Sequence, residues 1–324
     1  MSQPDEAPSL DLLVLGDVNP DVIVSGVGPT IRFGQVEDVV EHAGLVLGGS
    51  GAIVAMGAAR LGMRVGLCAV VGDDDAGVLV VQQLIERGVD VTHVASTDQA
   101  PTGMTVVLDR SGDRAVLTSL GTIPLLSPAL LDELGDRPAR HVHVASYQLM
   151  SREYRAALPD ALRRWRDHGV STSLDPNWDP AGAWDLESVL AQTDVFLPNE
   201  AELTAIAGTT IVDRAMQALA ALGCDIVVKR GTSGAAALVD GTVYRLTRTP
   251  PVDFVDAVGA GDSFDAGYLT ARLNGAAVPA ALAQAVVVGT LSTAATGGTG
   301  AQPEQSEVEP WVRRLAPMVV EEEP

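Results

Sequence analysis

Lysine is almost missing from this chain. Of 21 basic residues only Lys229 is a lysine, and 42 acidic residues oppose them, for a formal net charge of −21. Such a field repels phosphate backbones and anionic membranes, which argues against nucleic-acid and membrane partners. Any anionic ligand must then be held by local backbone donors or by a bound cation. Cysteine is scarce too: Cys68 and Cys224 cannot build a disulfide framework, and their apolar settings (GLCAVV, LGCDIVV) read as buried thiols. The start, MSQPDEAPSL, lacks the basic-then-apolar pattern of a secretion signal, so a cytoplasmic protein is expected. The longest weakly polar stretch, 276–295, is alanine-rich and carries Pro279, Gln284 and Ser292, which fits a core helix and not a membrane span. No internal repeat, no G-x-x-x-x-G-K-[ST] loop and no protein-kinase catalytic-loop pattern occurs.

The 324 residues, 47% hydrophobic and 19% charged, are too apolar to stay disordered and long enough for about two domains or one large α/β domain with an attachment. Apolar β-branched runs alternate with helical patterns. DLLVLG at 11–16, MRVGLCAVVG at 63–72, HVHVA at 141–145, VSTSLD at 170–175, DVFLPN at 194–199 and DIVVKRG at 225–231 are separated by helical stretches such as 50–62, 76–88 and 153–168. Strands apolar nearly throughout, joined by helices, imply an α/β fold with a mostly parallel, Rossmann-like sheet covered by helices on both faces. Two segments break the rhythm. Residues 21–36 and 102–119 alternate around glycine-containing turns, with Arg110-Ser111-Gly112-Asp113 of hairpin composition, and read as antiparallel strands of a small β lid. The expected organisation is a tail at 1–10, one α/β domain at 11–316 that includes the lid, and an acidic solvated tail at 317–324.

The most informative segment is DFVDAVGAGDSFDAGYLTARLNG at 253–275. Gly259-Ala260-Gly261 precedes a helical pattern that Asn274-Gly275 stops, so a helix begins at the glycines. Its first N–H groups lack intrahelical partners and carry the positive end of the helix dipole, which makes an anion site suited to a transferring phosphoryl group. Small residues there let phosphate oxygens reach the amides. Asp262 follows in the first turn, where it is either an N-terminal cap or the base that takes a proton from an attacking hydroxyl.

Asp256-Ala257-Val258-Gly259-Ala260-Gly261-Asp262 resembles the C-terminal signature of the ribokinase-like (PfkB) carbohydrate kinases, usually written D-T-x-G-A-G-D. Gly48-Gly49-Ser50-Gly51, with AARLG and VVGDDDAG after it, resembles the N-terminal signature. Gly16-Asp17-Val18-Asn19-Pro20-Asp21 resembles the sugar-binding strand end, and Asn199-Glu200-Ala201-Glu202 the N-x-x-E motif. The four motifs stand in family order over residues 11–303. The resemblance implies an ATP-dependent phosphotransferase acting on an alcohol group. In it Asp262 would be the base, Gly259, Ala260 and Gly261 the anion hole, and Asn199 with Glu202 would organise Mg²⁺ and phosphates through water. Asp256 would help bind a monovalent cation such as K⁺, with the loop at Gly297-Gly298-Thr299-Gly300 adding carbonyls. Lys229, Gly231 and Gly234 would line the nucleotide. Read from the residues alone, Asn199 is also a helix cap and Glu202 also an exposed helix residue.

Asn19 and Asp21 lie beyond the first strand, where an open α/β sheet presents ligand contacts, and alternate residues of an extended segment face one way. An amide and a carboxylate suit sugar hydroxyls, although turn chemistry around Pro20 gives the same residues. Gly48 and Gly49 would let backbone approach the acceptor. Relatives often carry asparagine where this chain has Ile53, and threonine or glycine where it has Val258. DPNWDPAGAW at 175–184 resembles the D-P-N-x-R-P stretch of the 2-keto-3-deoxygluconate kinase branch, with Asp179 in place of the arginine. That exchange favours a neutral sugar or polyol acceptor over a sugar acid. Trp178 and Trp184 either stack on a ring or pack beneath the loop; His141 and His143 read as core histidines more than metal ligands. The alternatives carried forward are a nucleoside kinase of the same family and a binding regulator without catalysis. Lid edges of this kind can pair between subunits, so a homodimer through the lid is also among the expectations.

Overall fold

The apolar runs become strands buried on both faces, and the glycines and carboxylates fall where those strands end. The computed structural model describes residues 9–28, 30–110, 113–179 and 181–322. In chain order the first half contains β1 (Leu12–Leu15), β2 (Asn19–Ser25), β3 (His42–Gly48), α1 (Ser50–Arg60), β4 (Val65–Gly72), α2 (Asp75–Glu86), β5 (Asp90–Thr97), β6 (Met104–Arg110), β7 (Asp113–Ser119) and α3 (Pro128–Glu133). There follow β8 (His141–Val144), α4 (Arg152–Asp167), β9 (Ser171–Leu174), α5 (Glu187–Leu190), β10 (Val195–Phe196), α6 (Glu200–Ala207), α7 (Val212–Ala220) and β11 (Asp225–Lys229). The chain closes with β12 (Ala235–Val239), β13 (Thr242–Leu246), α8 (Ala260–Leu273), α9 (Val278–Leu291), α10 (Gln305–Leu315) and β14 (Val320–Glu322).

A ten-stranded sheet runs in the order β14-β13-β12-β11-β10-β9-β8-β1-β4-β5. From β11 to β5 every pairing is parallel, while β12, β13 and β14 add antiparallel strands at one edge. The chain leaves β1 for β4 on one side and returns to β8 on the other, so the strand order reverses at β1/β8 and opens a crevice at the carboxyl ends. Alternation along β1 divides the core: Leu13 and Leu15 join Tyr154, Trp165 and Phe196 under α3 to α7, whereas Leu12 and Val14 pack with α1 and α2. Helix α8 packs against α1 and α9 on that second face, with the Gly267 backbone so close to Ala285 and Val288 that a methyl would come within 3.0 Å of both.

The second sheet, β3-β2-β6-β7, is the expected lid with altered boundaries. The described residues of 26–41 form no strand; the partner of β2 is His42–Gly48. Strand β2 pairs with β6 in parallel, so only its outer pairings are antiparallel. Ser111 and Gly112 of the expected hairpin turn lie outside the described residues. The acidic tail is also more than solvated chain: Val320–Glu322 is fully exposed on its side chains but pairs with β13 at the sheet edge. Both thiols are buried and unpaired, and burial pushes each up to about 12. His141 and His143 are buried among Ser171 and Ser173, at 2.7–2.8 Å, and burial holds them neutral. No helix among the described residues is long and apolar enough to cross a membrane.

The lid exposes the apolar side chains of Leu45, Val116 and Leu117 and has edges at β3 and β7, the features that bear on the expected homodimer. Light scattering on the purified protein is expected to give the mass of two chains, falling to one on Leu117→Lys; a monomer in the unsubstituted protein would contradict it.

Candidate active site

Five strand ends deliver the polar side chains. Asp17 follows β1, Ser146 follows β8, Asp175 and Asn177 follow β9, Asn199 follows β10, and Lys229 ends β11. Each occupies one of the first polar positions after a buried run, where the backbone leaves the sheet and a side chain can face the crevice.

Helix α8 starts as its sequence demands. Gly259 is the N-cap, with φ 68°, and a Cβ there would lie 2.5 Å from the Gly298 Cα, so glycine is required by both conformation and packing. Asp262 is therefore not the cap. The Ala260 N–H is already taken by the Ala257 carbonyl at 3.3 Å, whereas those of Gly259 and Gly261 make no hydrogen bond among the described residues. Gly261 differs from Gly259: the nearest atoms to an added Cβ are on the Lys229 stem, at 3.6–3.8 Å, an ordinary contact. The protein itself has room for a methyl at 261.

Carboxylates crowd the same edge. Lys229 Nζ is 2.6 Å from Asp175 Oδ2 and 3.0 Å from Asp265 Oδ2, with all three groups buried. Asp175, Asp262 and Asp265 offer oxygens within 4.8 Å of one another, a grouping of the kind that holds a metal, but the Lys229 ammonium already bonds two of them. One cation cannot satisfy two buried carboxylates equally. Against its burial, Asp175 is held below the usual range by Lys229, while burial and the Asp175 charge drive Asp265 well above it. Burial, then the Asp175 charge, likewise pushes Asp262 up to about 7 and Glu202 up to about 7. Lys229 lines the same cavity as Gly231, Gly234 and Gly261, and its ammonium is bonded to Asp175 and Asp265.

Asn199 and Glu202 form a reciprocal capping box on α6, Asn199 Oδ1 accepting from the Glu202 N–H at 2.9 Å and Glu202 Oε2 from the Asn199 N–H at 2.8 Å. Glu202 is buried, not exposed. Asp256 Oδ1 accepts from the Val258 N–H at 3.0 Å and Oδ2 from the Gly297 N–H at 2.9 Å, tying the signature loop to the loop at 297–300. Gly231 and Gly234 line a cavity of about 480 Å³ with Thr232, Phe254 and Gly261, so the glycines and the α8 N-terminus share one space. Gly234 has a fold reason as well, since a Cβ would sit 1.9 Å from the Leu246 carbonyl oxygen. A wider hollow of about 620 Å³ near Arg166 and Asp194 lies at the opposite end of β9 and holds none of these residues.

Across from α8, Asn19 Nδ2 donates to Asp21 Oδ1 at 2.7 Å, both side chains buried at the start of β2. Burial, then the Asp17 charge, pushes Asp21 up to about 7. A Cβ on Gly48 would fall 2.1 Å from the Asp21 carboxyl carbon, and Gly49 crosses Asp17 and Val18 with φ 87°. Asp179, expected as a free repulsive charge, turns inward and accepts from the N–H groups of Ala181, Ala183 and Trp184 at 2.7–3.2 Å. It shapes its own loop. Trp178 and Trp184 pack edge to face with centroids 5.5 Å apart, Trp178 remaining exposed.

A wound parallel sheet whose crevice meets a helix N-terminus with unpaired amides and an adjoining half-buried carboxylate suits a phosphotransferase of the α/β class. The chain belongs to the pfkB family of carbohydrate kinases, whose model matches residues 9–305. It is 33% identical to the ATP-dependent ribose-1-phosphate kinase of Halopiger xanaduensis over 78% of this chain and 82% of that one. It is 30% identical to the fructokinase of Klebsiella pneumoniae, covering 91% and 97%. Among solved structures, a candidate ribokinase II of Escherichia coli superposes with a TM-score of 0.84 at 25% identity, covering 94% of this chain and 99% of that one. That protein has also been solved with ATP and Mg²⁺. The protein is thus a carbohydrate kinase of this family.

Asp175, Asp265, Asp17, Ser50, Ser146 and Asn177 were not singled out from sequence. Asp265 was within reach as the i+3 neighbour of Asp262 on one helix face, and the others as polar residues at strand ends or a helix start. Because a methyl fits at 261 within the protein, Gly261→Ala is expected to unfold within about 2 °C of the parent. Its MgATP-dependent turnover is expected to fall by about 10²-fold, as for loss of one anion-hole donor. Parent-like turnover by coupled assay would show that no phosphate approaches this amide.

Proposed function

We propose that this kinase phosphorylates a hydroxyl of a neutral sugar or related polyol, with Asp262 as general base and the amides at the start of α8 receiving the phosphoryl group. The observation that carries this reading is the position of Asp262: beside the unpaired Gly261 amide, in contact with Ser50 of the acceptor half, and not engaged as a cap. Charge argues the acceptor's class. Asp17, Asp21 and Asp262 feel one another's charge or share neighbours, and the one lysine of the chain is committed to Asp175 and Asp265, so an anionic acceptor would meet repulsion. Asn19 and Asp21 supply the paired donor and acceptor that hydroxyls require.

The residues fit the cofactors. The 480 Å³ cavity ends on the α8 amides and has the size of a nucleoside with its phosphates directed at Gly261. Asn199 and Glu202 both spend an oxygen on the α6 cap, so they would hold Mg²⁺ through its waters, which suits an ion that dehydrates reluctantly. The cation neutralises phosphate charge as it is transferred. Asp256, whose carboxylate ties the signature loop to the loop at 297–300, would help hold a K⁺. Asn19 and Asp21 orient the acceptor, Asp262 takes its proton, and the lid sheet keeps water from the phosphoryl group. The acidic surface argues against a nucleic-acid partner, and reliance on MgATP argues for work in the cytoplasm.

Asp262→Asn, which keeps shape and loses the base, is expected to lower turnover by about 10²–10⁴-fold while still binding MgATP. In the parent, kcat/KM should rise with pH through a midpoint near 7, because Asp262 serves only when ionised and its environment favours the protonated form. Retained turnover in Asp262→Asn would remove the base. For the acceptor, mass spectrometry of products from a mixed library of sugars, sugar acids, sugar phosphates and nucleosides, run in KCl and in NaCl, is expected to show phosphorylated neutral sugars and more product in KCl. Exposed Trp178, next to Asn177 at the crevice, favours nucleosides as the second reading; product from nucleosides alone would establish it, and equal yields in both salts would remove the K⁺ site.

A further inference from the structure

Two residues other than glycine near the site hold left-handed backbone, Ser146 and Asn177, each with φ 55°, and they touch. Left-handed conformations of non-glycine residues cost free energy and persist where surrounding contacts impose them. The contacts here run in one direction. The Ser146 N–H donates to Asn177 Oδ1 at 2.9 Å, which fixes the orientation of the asparagine amide. Its Nδ2 then donates to Ser50 Oγ at 2.9 Å. A hydroxyl that accepts from one side has its own proton free for the other. Helix α1, which carries Ser50 at its start, packs against α8, whose first turn carries Asp262 close enough for its ionisation to feel the serine hydroxyl. The Asn177 backbone is anchored as well, its N–H donating at 3.0 Å to the Asp175 carboxylate that Lys229 holds. Ser146 Oγ donates to Asp17 Oδ1 at 2.7 Å, and that oxygen also accepts from the Gly51 N–H at 3.0 Å, so α1 is fixed to the same frame.

We propose that Asn177 is a positioning residue for the base: its amide sets the Ser50 hydroxyl as an acceptor, so that the serine proton points at Asp262 and holds the carboxylate in place in its charged form. This rests on the reading of Asp262 as the base. It explains why asparagine suits position 177. Aspartate would have no N–H for Ser50, and serine could not span Ser146 and Ser50 together. The relay also joins the acceptor half of the site, at the start of α1, to the phosphate half, at the start of α8.

The groups that face Asp262 are Asp17 beyond β1, Asp175 beyond β9, Lys229 on β11, Asp265 on its own helix and the Ser50 hydroxyl on α1. Removing the serine contact therefore leaves Asp175 and Asp17 opposing ionisation with less to offset them. The test reads this in the free protein by ¹³C-carboxyl NMR titration, the Asp262 signal being assigned by its loss in Asp262→Asn. Asn177→Gly accommodates φ 55° and introduces no charge; it is expected to raise the Asp262 midpoint by about 0.5–1 pH unit, as Ser50→Ala should. Ser50→Thr, which keeps the hydroxyl, should return the parent midpoint. The double variant Asn177→Gly/Ser50→Ala should rise no further than Ser50→Ala alone, because the asparagine acts only through the serine. An unchanged midpoint in Asn177→Gly, or a double-variant rise equal to the sum of the two singles, would overturn the proposal. Turnover in Asp262→Asn decides the base separately, so either idea can fail without the other.

Discussion

One buried ammonium organises the catalytic edge. Lys229, the only lysine in a chain of net charge −21, reaches from the end of β11 to Asp175 beyond β9 and Asp265 on α8. Breaking such a pair would strand buried carboxylates at a cost of several kcal/mol, so the strand ends and the helix that carries Asp262 are held in one arrangement. The neutralisation is incomplete. Asp262, Glu202 and Asp21 remain near enough to other carboxylates, and buried enough, to be pushed up to about 7. A carboxyl poised at neutral pH is a serviceable proton acceptor, and an acidic pocket suits acceptors without charge.

That electrostatic setting accords with the proposed use of backbone donors for phosphate. With its lysine occupied, the site offers the amides of Gly259 and Gly261, oriented by the α8 dipole and uncovered by side chains. Glycine serves two different ends there: at 259 the fold requires it, at 261 the fold would accept a methyl. The lid sheet arises from insertions between β1 and α1 and between β5 and α3, so it lies over the same strand ends without disturbing the wound sheet below.

Much of this was legible in the residues. Apolar runs such as LLVL and VGLCAVVG marked strands buried on both faces, and Gly-Ala-Gly-Asp marked a helix start. Strand β3 was hidden because HAGLVLG mixes small and exposed residues and its pairing depends on a distant β2. The tail strand was hidden because its side chains are exposed and its place at the sheet edge depends on backbone pairing with β13 and on the Arg245–Glu322 contact. The site's charge balance was the least legible part: that Lys229 faces Asp175 and Asp265, and that Asp179 caps its own loop, depends on side-chain direction after a strand end, which no local pattern specifies. The polar relay through Ser146, Asn177 and Ser50 joins three segments that lie far apart in the chain.

The account turns on where a transferred phosphoryl group and its acceptor meet. A crystal structure with Mg²⁺, a non-hydrolysable ATP analogue and the phosphorylatable sugar tests this directly. It should place the terminal phosphate against the Gly261 amide and one sugar hydroxyl within hydrogen-bond distance of the Asp262 carboxylate, on the far side from the nucleotide. A terminal phosphate seated away from the start of α8, or a sugar whose hydroxyls all point elsewhere, would contradict it.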